Sequence, residues 1–262
     1  MQVPAQPTRS RGSRLELRLL DGFVLLVDGH ARDTTTGPSR LLAYLGLQPD
    51  GERSQIAGTL WPEVSEEHAQ ASLRTTAWRI RAVHPGLLVT LGRSMALHPS
   101  VRVDVRELVT SAARVRHGAN APEAGSVLTR TGSELLPGWY EDWVLRERER
   151  LRQLKLHALE ELSLHLLLLE RFGEAVDVAL RALAAEPLRE SANRLLIRIH
   201  LTEGNRIEAR RHYDRYAELL LTELGELPGD AVTGLLRRAP ARPGPGGHAV
   251  DPVAAGRPVA RA

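Results

Sequence analysis

The sequence predicts a mainly α-helical fold with a small β component, built in two successive parts. Two observations carry this. Over residues 15–105 the patterns run strand, strand, helix, helix, helix, hairpin, which is the order of a winged helix-turn-helix domain preceded by a small sheet. Over residues 106–236 nearly everything reads helical, and Arg171-Phe172-Gly173-Glu174-Ala175 returns as Arg206-Ile207-Glu208-Ala209, with Glu174-Ala175 and Glu208-Ala209 34 residues apart. That period, with small residues where helices pack, is the signature of tetratricopeptide-like repeats. One such unit cannot bury its apolar face alone, so the units stack.

The elements follow in order. Leu15, Leu17 and Leu19 alternate with Glu16 and Arg18, the period of a half-buried strand. Phe23 to Val27 reads as a second strand, and Asp28-Gly29 supplies the residues of a tight hairpin turn. A helix is expected from Pro38, with Leu41, Leu42 and Leu45 on one side, until Pro49-Asp50-Gly51 breaks it. A short helix from about Ser54 to Leu60 ends at Trp61-Pro62. A third helix runs from Ser65, its cap, to Val83, with Glu66 and Glu67 complementing the dipole of the first turn. Leu88–Leu91 and Met95–Leu97, separated by Gly92-Arg93-Ser94, form a hairpin with an arginine at its tip, and Val101, Val103 and Val105 alternate as a further strand.

In the helical part, Ala182 and Tyr216 share the 34-residue offset, and Pro187 ends the second helix of the first repeat. A patch at Gly118–Gly125 and the break at Pro137-Gly138 interrupt the helices. Residues 1–14 and the tail 237–262, with five Pro, four Gly and five Arg, are expected to be disordered.

Composition narrows the function classes. The absence of cysteine excludes disulfides, thiolate metal sites and cysteine nucleophiles. No run of eighteen apolar residues occurs, so no membrane partner is expected; without an apolar stretch after the polar N-terminus, the expected location is the cytoplasm, at the nucleoid. No His-Glu-x-x-His pair and no G-x-x-x-x-G-K-[ST] loop is present. No catalytic, metal or cofactor-binding residue is therefore assigned, and no enzyme activity is expected. His157 and His165 read as helix-surface residues, and Glu66-Glu67 and Glu160-Glu161 as charged helical faces.

The net charge of +3 is unevenly placed: residues 71–106 hold six Arg and one Asp. Such a basic stretch is the footprint of a polyanion partner, though a solvated basic face gives the same count. Lys155 is the one lysine among 35 basic residues, which reads as the imprint of a GC-rich genome and carries no functional weight.

The third helix gives the basic stretch a form. Stepping about 100° per residue, Ala69, Leu73, Ala77 and Ile80 make a narrow apolar stripe. Ala71, Thr75, Trp78 and Arg79 lie opposite it, with Ser72 beside them and Arg74 and Arg81 on the flank. Arginine pairs bidentately with guanine or phosphate, and small or methyl-bearing side chains touch thymine methyls, so this face suits a DNA major groove. Trp78 reads as packing on the wing or the second domain in preference to touching the sugar–phosphate backbone. Arg93 at the hairpin tip reads as a minor-groove or phosphate contact, and Arg40, early in the first helix, as a phosphate contact. Trp139 and Trp143 are expected to anchor the helical part to the winged part. Arg146, Arg148, Arg150 and Arg152, interleaved with Glu147 and Glu149, read as weak pairs on an exposed helix.

These runs resemble a known family. Arg40-Leu41-Leu42-Ala43-Tyr44-Leu45, Gly58-Thr59-Leu60-Trp61-Pro62, Ala71-Ser72-Leu73-Arg74 and Trp78-Arg79-Ile80-Arg81 resemble the OmpR-like DNA-binding domain of SARP-family transcriptional activators. Leu135-Leu136-Pro137-Gly138-Trp139-Tyr140-Glu141-Asp142-Trp143-Val144, with Glu147 to Arg152, is similar to the bacterial transcriptional activator domain (BTAD) that follows it, and Pro187-Leu188-Arg189-Glu190 and Leu224-Gly225 continue the likeness. The resemblance implies an activator, often of secondary-metabolite genes, that binds direct repeats in double-stranded DNA near promoters and recruits RNA polymerase holoenzyme. Where the family often carries a basic residue before the first helix, this chain has Gly37-Pro38-Ser39, so fewer phosphate contacts are expected there. A homodimer on DNA is expected, because one small winged domain buries limited surface. The competing reading is a helical-repeat interaction scaffold whose winged domain does not bind DNA.

Overall fold

The computed structural model describes residues 13–48, 50–118, 125, 127–129 and 134–238. The expectations for residues 1–12, for most of the Gly118–Gly125 patch and for the tail beyond Arg238 lie outside the described residues.

Strands β1 (Leu15–Arg18), β2 (Val24–Val27) and β3 (His30–Arg32) form an antiparallel meander, and β7 (Val101–Val103) joins β1 in parallel, giving the order β3-β2-β1-β7. Asp28 and Gly29 both take positive φ, the primed turn expected of that dipeptide. Between β3 and β7 lie three helices, α1 (Thr36–Leu47), α2 (Arg53–Leu60) and α3 (Glu66–Val83), followed by a hairpin of β5 (Leu88–Leu91) and β6 (Ser94–Leu97). A two-residue strand, β4 (Gly51–Glu52), adds to the free edge of β6 and makes the wing three-stranded. Gly51, expected as a helix-breaking residue, is thus already part of the wing, which a two-residue strand does not announce in the sequence. Val105 is another departure: alternation stops at Val103, and Val105 belongs to α4 (Asp104–Arg116).

Helix α1 lies close on the sheet. A Cβ at Gly46 would meet Leu19 Cδ1 at 2.9 Å and Leu17 Cδ2 at 3.1 Å, so any larger residue here would push those leucine methyls aside. Leu17, Leu19, Leu41, Leu45, Ile56, Leu73 and Ile80 fill the core beneath the three helices.

Further helices are α5 (Asp142–Leu168), α6 (Phe172–Ala185), α7 (Glu190–Glu203), α8 (Arg206–Leu224) and α9 (Asp230–Arg238). Successive helices pack as hairpins, and the repeat positions do what the 34-residue offset predicts: Ala175, Ala182 and Ala209 are fully buried and Tyr216 is nearly so. Small side chains there let α6 approach α5 and α8 approach α7. Pro187 follows the end of α6, the second helix of the first pair.

The two parts share a core. Leu135, Leu136, Trp143, Val144 and Leu151 belong to the same buried cluster as the winged helices and sheet. Trp143 meets Tyr44 edge-on at 5.6 Å and Trp139 at 6.4 Å, and Trp139 stacks on Phe23 at 6.1 Å. The two tryptophans anchor the helical part as expected. Polar clasps reinforce them. The Asp104 carboxylate accepts the backbone N–H groups of Leu19 and Leu20 at 3.0 Å and of Val105 at 2.7 Å. Burial pushes this carboxyl up from its ordinary range, against the opposing pull of those three donors. Arg106 donates to the carbonyls of Leu45 and Gly46, satisfying the C-terminal end of α1.

Arg148 departs from its expected place on an exposed face. It is half-buried, donates to the carbonyls of Leu135, Leu136 and Trp139, and lies 3.3 Å from Glu134. Leu136 is fully buried with a positive φ of 45°, and its carbonyl accepts both that guanidinium and the N–H of Trp139.

Candidate nucleic-acid interface

Helix α3 starts where Ser65 accepts the N–H of His68 and has Glu66 and Glu67 in its first turn. It stops at His84, whose Nδ1 accepts the N–H of Gly86. The apolar stripe lies as predicted: Ala69, Leu73, Ala77 and Ile80 are buried. Arg74, Thr75, Trp78, Arg79 and Arg81 are exposed, and Ala71 and Ser72 are half-buried at the edge of the same face.

Trp78 does not pack as expected. It is 68% exposed. The stripe toward the core is already filled by smaller side chains, and the junction with the helical part is filled by Trp139 and Trp143, which leaves an indole on the outer face of α3 without a cavity to enter.

The wing stands beside this face. Gly92 holds φ 58° at the first position of a two-residue turn, a conformation glycine adopts without strain, and Arg93 follows it fully exposed. The Arg93 carbonyl accepts the N–H of Arg53, tying the hairpin tip to the start of α2. Arg81 donates to Thr90 Oγ1 at 2.9 Å, bracing α3 against β5. Leu91, near the tip, is 75% exposed. Among the described residues no carboxylate forms an ion pair with Arg74, Arg79 or Arg93, so three guanidinium groups remain for an external anion.

Arg40 is not part of this cluster. Its Nε lies 3.0 Å from Glu141 Oε1 and the side chain is half-buried, so it is a strut between α1 and the segment leading into α5. Its ion pair spans a hundred residues of sequence, a partner that local pattern cannot foresee. The Arg81–Thr90 brace and the β4 edge were equally beyond the pattern, since each depends on how the hairpin folds back. Asp104 left a signal: an acid placed where strand alternation stops reads as a helix-start residue.

A three-helix unit with an arginine-bearing outer helix and a flanking hairpin thus shares a buried cluster with the first residues of the stacked helices. The family model for the bacterial transcriptional activator domain matches residues 103–238, and the chain belongs to that family. It is a SARP-like transcriptional regulator. The structure of Mycobacterium tuberculosis EmbR in complex with a low affinity phosphopeptide is similar to it, with a TM-score of 0.68 and 19% identity. That likeness covers 87% of this chain and 65% of the EmbR chain, and at this identity it is a likeness of fold. No curated protein matches the sequence. Among the described residues no helix is long and apolar enough to cross a membrane.

Proposed function

We propose that the protein is a sequence-specific, double-stranded DNA-binding activator whose helix α3 reads a major-groove half-site. The observation that carries this is the outer face of α3: Arg74, Thr75, Trp78 and Arg79 stand exposed beside a wing that ends in Arg93, and among the described residues no acid is paired to the three arginines. Arg79 and Arg74 supply donors to guanine or phosphate, Thr75 and Ala71 offer methyl contacts, Ser72 donates or accepts at the edge, and Arg93 follows the backbone. Trp78 then contacts the sugar–phosphate wall, the one partner left to an indole facing solvent at this site. Arg81 supports through its brace to Thr90. Arg40, held by Glu141, positions α1 and is not offered as a phosphate contact.

On this reading two protomers occupy direct repeats near a promoter, the helical part contacts RNA polymerase holoenzyme, and the work is done in the cytoplasm at the nucleoid. The resemblance to SARP-family activators supports secondary-metabolite genes as the targets.

The test is selection from random or genomic DNA with the purified protein, followed by shift assays on the best site from 50 to 200 mM salt. A selected direct repeat with steep salt dependence is the expected result. Arg93→Ala should weaken selected and random DNA alike and lower the salt slope by about one. Selection that yields no enriched sequence would overturn the reading and leave the helical repeats as an interaction scaffold.

A further inference from the structure

The outer face of α3 begins a turn before its arginines. Stepping about 100° per residue, His68 falls within about 20° of both Thr75 and Arg79 around the helix axis. Glu66 and Glu67 fall about 200° and 100° away from it, so His68 is the first residue of the helix on this face. It is exposed. At a rise of about 1.5 Å per residue it stands roughly 10 Å from Thr75 along the axis, about three base steps of a duplex.

The His68 ring is held in place. Ser65 caps the helix by accepting the N–H of His68, and the same hydroxyl lies 2.7 Å from Nδ1 of the His68 ring. With its oxygen engaged by the backbone N–H, the hydroxyl has its own hydrogen to give, and Nδ1 is the acceptor in reach. The tautomer that takes this bond carries its hydrogen on Nε2, the ring nitrogen turned away from Ser65. The cap therefore satisfies an N–H of the first turn and also restrains an imidazole whose outer nitrogen is a donor.

We infer that His68 is a base-reading residue of the proposed interface, its Nε2–H donating to a guanine in the major groove. Guanine presents two acceptors, N7 and O6, side by side on that edge. Adenine and cytosine place an amino group there, and thymine a methyl beside its one acceptor. A ring edge that offers a donor and no acceptor selects guanine among these. The location agrees, since the first residues of a recognition helix are those that contact base edges. This inference rests on the reading of α3 as that helix.

The test is selection from random DNA with the full chain and with its His68→Ala and His68→Gln variants, followed by shift assays on the parent's best site. Glutamine is itself a favoured residue at the third position of a capped helix, so His68→Gln should keep the parent's melting midpoint. The parent should select guanine at one position of each half-site that both variants alter. His68→Ala should flatten that position alone and weaken binding to the parent's best site by about three- to tenfold. His68→Gln should move the same position toward adenine, whose N7 and N6 match an amide. A residue that only shaped the helix would not exchange one base for another. Guanine retained by both variants, or a loss spread evenly over every position, would overturn the role of His68 while leaving α3 as the reading helix. A parent that selects no sequence would overturn that reading and this inference with it.

Discussion

Helices α3 and α5 are both rich in arginine, and among the described residues three of the four α5 arginines of residues 146–152 pair with glutamates, Arg146 excepted, whereas those of α3 do not. On α5, Arg148, Arg150 and Arg152 are each met by a glutamate, and Arg148 by three backbone carbonyls besides. On α3, among the described residues, no carboxylate forms an ion pair with Arg74, Arg79 or Arg81, and Arg81 donates to a threonine hydroxyl. Codon usage acts on both helices alike, so it cannot explain the difference. What separates them is the placement of acids. Helix α5 interleaves its arginines with Glu147 and Glu149, whereas the glutamates of α3 are confined to its first turn, where they face the helix dipole.

Four substitutions break or sharpen that contrast. The largest effect is expected at Trp143→Ala, which empties a buried site shared by Tyr44 and Trp139 and should lower stability by about 3–5 kcal/mol in urea unfolding. Arg148→Met keeps the stem but takes a donor from three carbonyls, of which that of Leu136 retains the N–H of Trp139, with an expected loss of about 2–3 kcal/mol by the same measurement. Arg79→Ala should leave stability within about 0.5 kcal/mol yet remove about 1–3 kcal/mol of preference for the selected DNA site over random DNA. Unchanged selectivity in a shift assay would end the base-reading role of Arg79. Arg150→Ala removes an exposed i,i+3 pair and should change stability by less than about 0.5 kcal/mol. A loss as large as that of Arg148→Met would erase the distinction drawn here between half-buried and exposed arginines.

Much of the fold was legible because it rests on local periodicity. Leu15, Leu17 and Leu19 announced a strand, Asp28-Gly29 its turn, and the 34-residue offset placed Ala175 and Ala209 in equivalent packing positions before any contact was known. The face of α3 was legible for the same reason, since 3.6-residue periodicity sorts Leu73 and Ile80 from Arg74 and Arg79. Trp78 was misjudged because a large apolar side chain argues for burial, while burial depends on whether a cavity exists to receive it. Arg40 and Arg148 were misjudged because their partners lie across the fold, and the mixed charge of residues 146–152 looks the same whether a helix faces water or a carbonyl cluster. The two-residue β4 carries no periodicity at all.

The junction of the two parts has a mechanical consequence. Trp143, Leu135 and Leu136 interlock with the winged helices, and Asp104, Arg106 and Arg148 bolt the backbone on either side. Swinging the helical repeats away from α3 would expose that apolar surface and break those bonds together. The joint therefore resists bending as a weld does, and α3 and the repeats turn as one lever. On the reading proposed for α3, the bound duplex fixes the compass bearing of the repeats, so shifting the site by half a turn of that duplex would point the whole helical body to the opposite side.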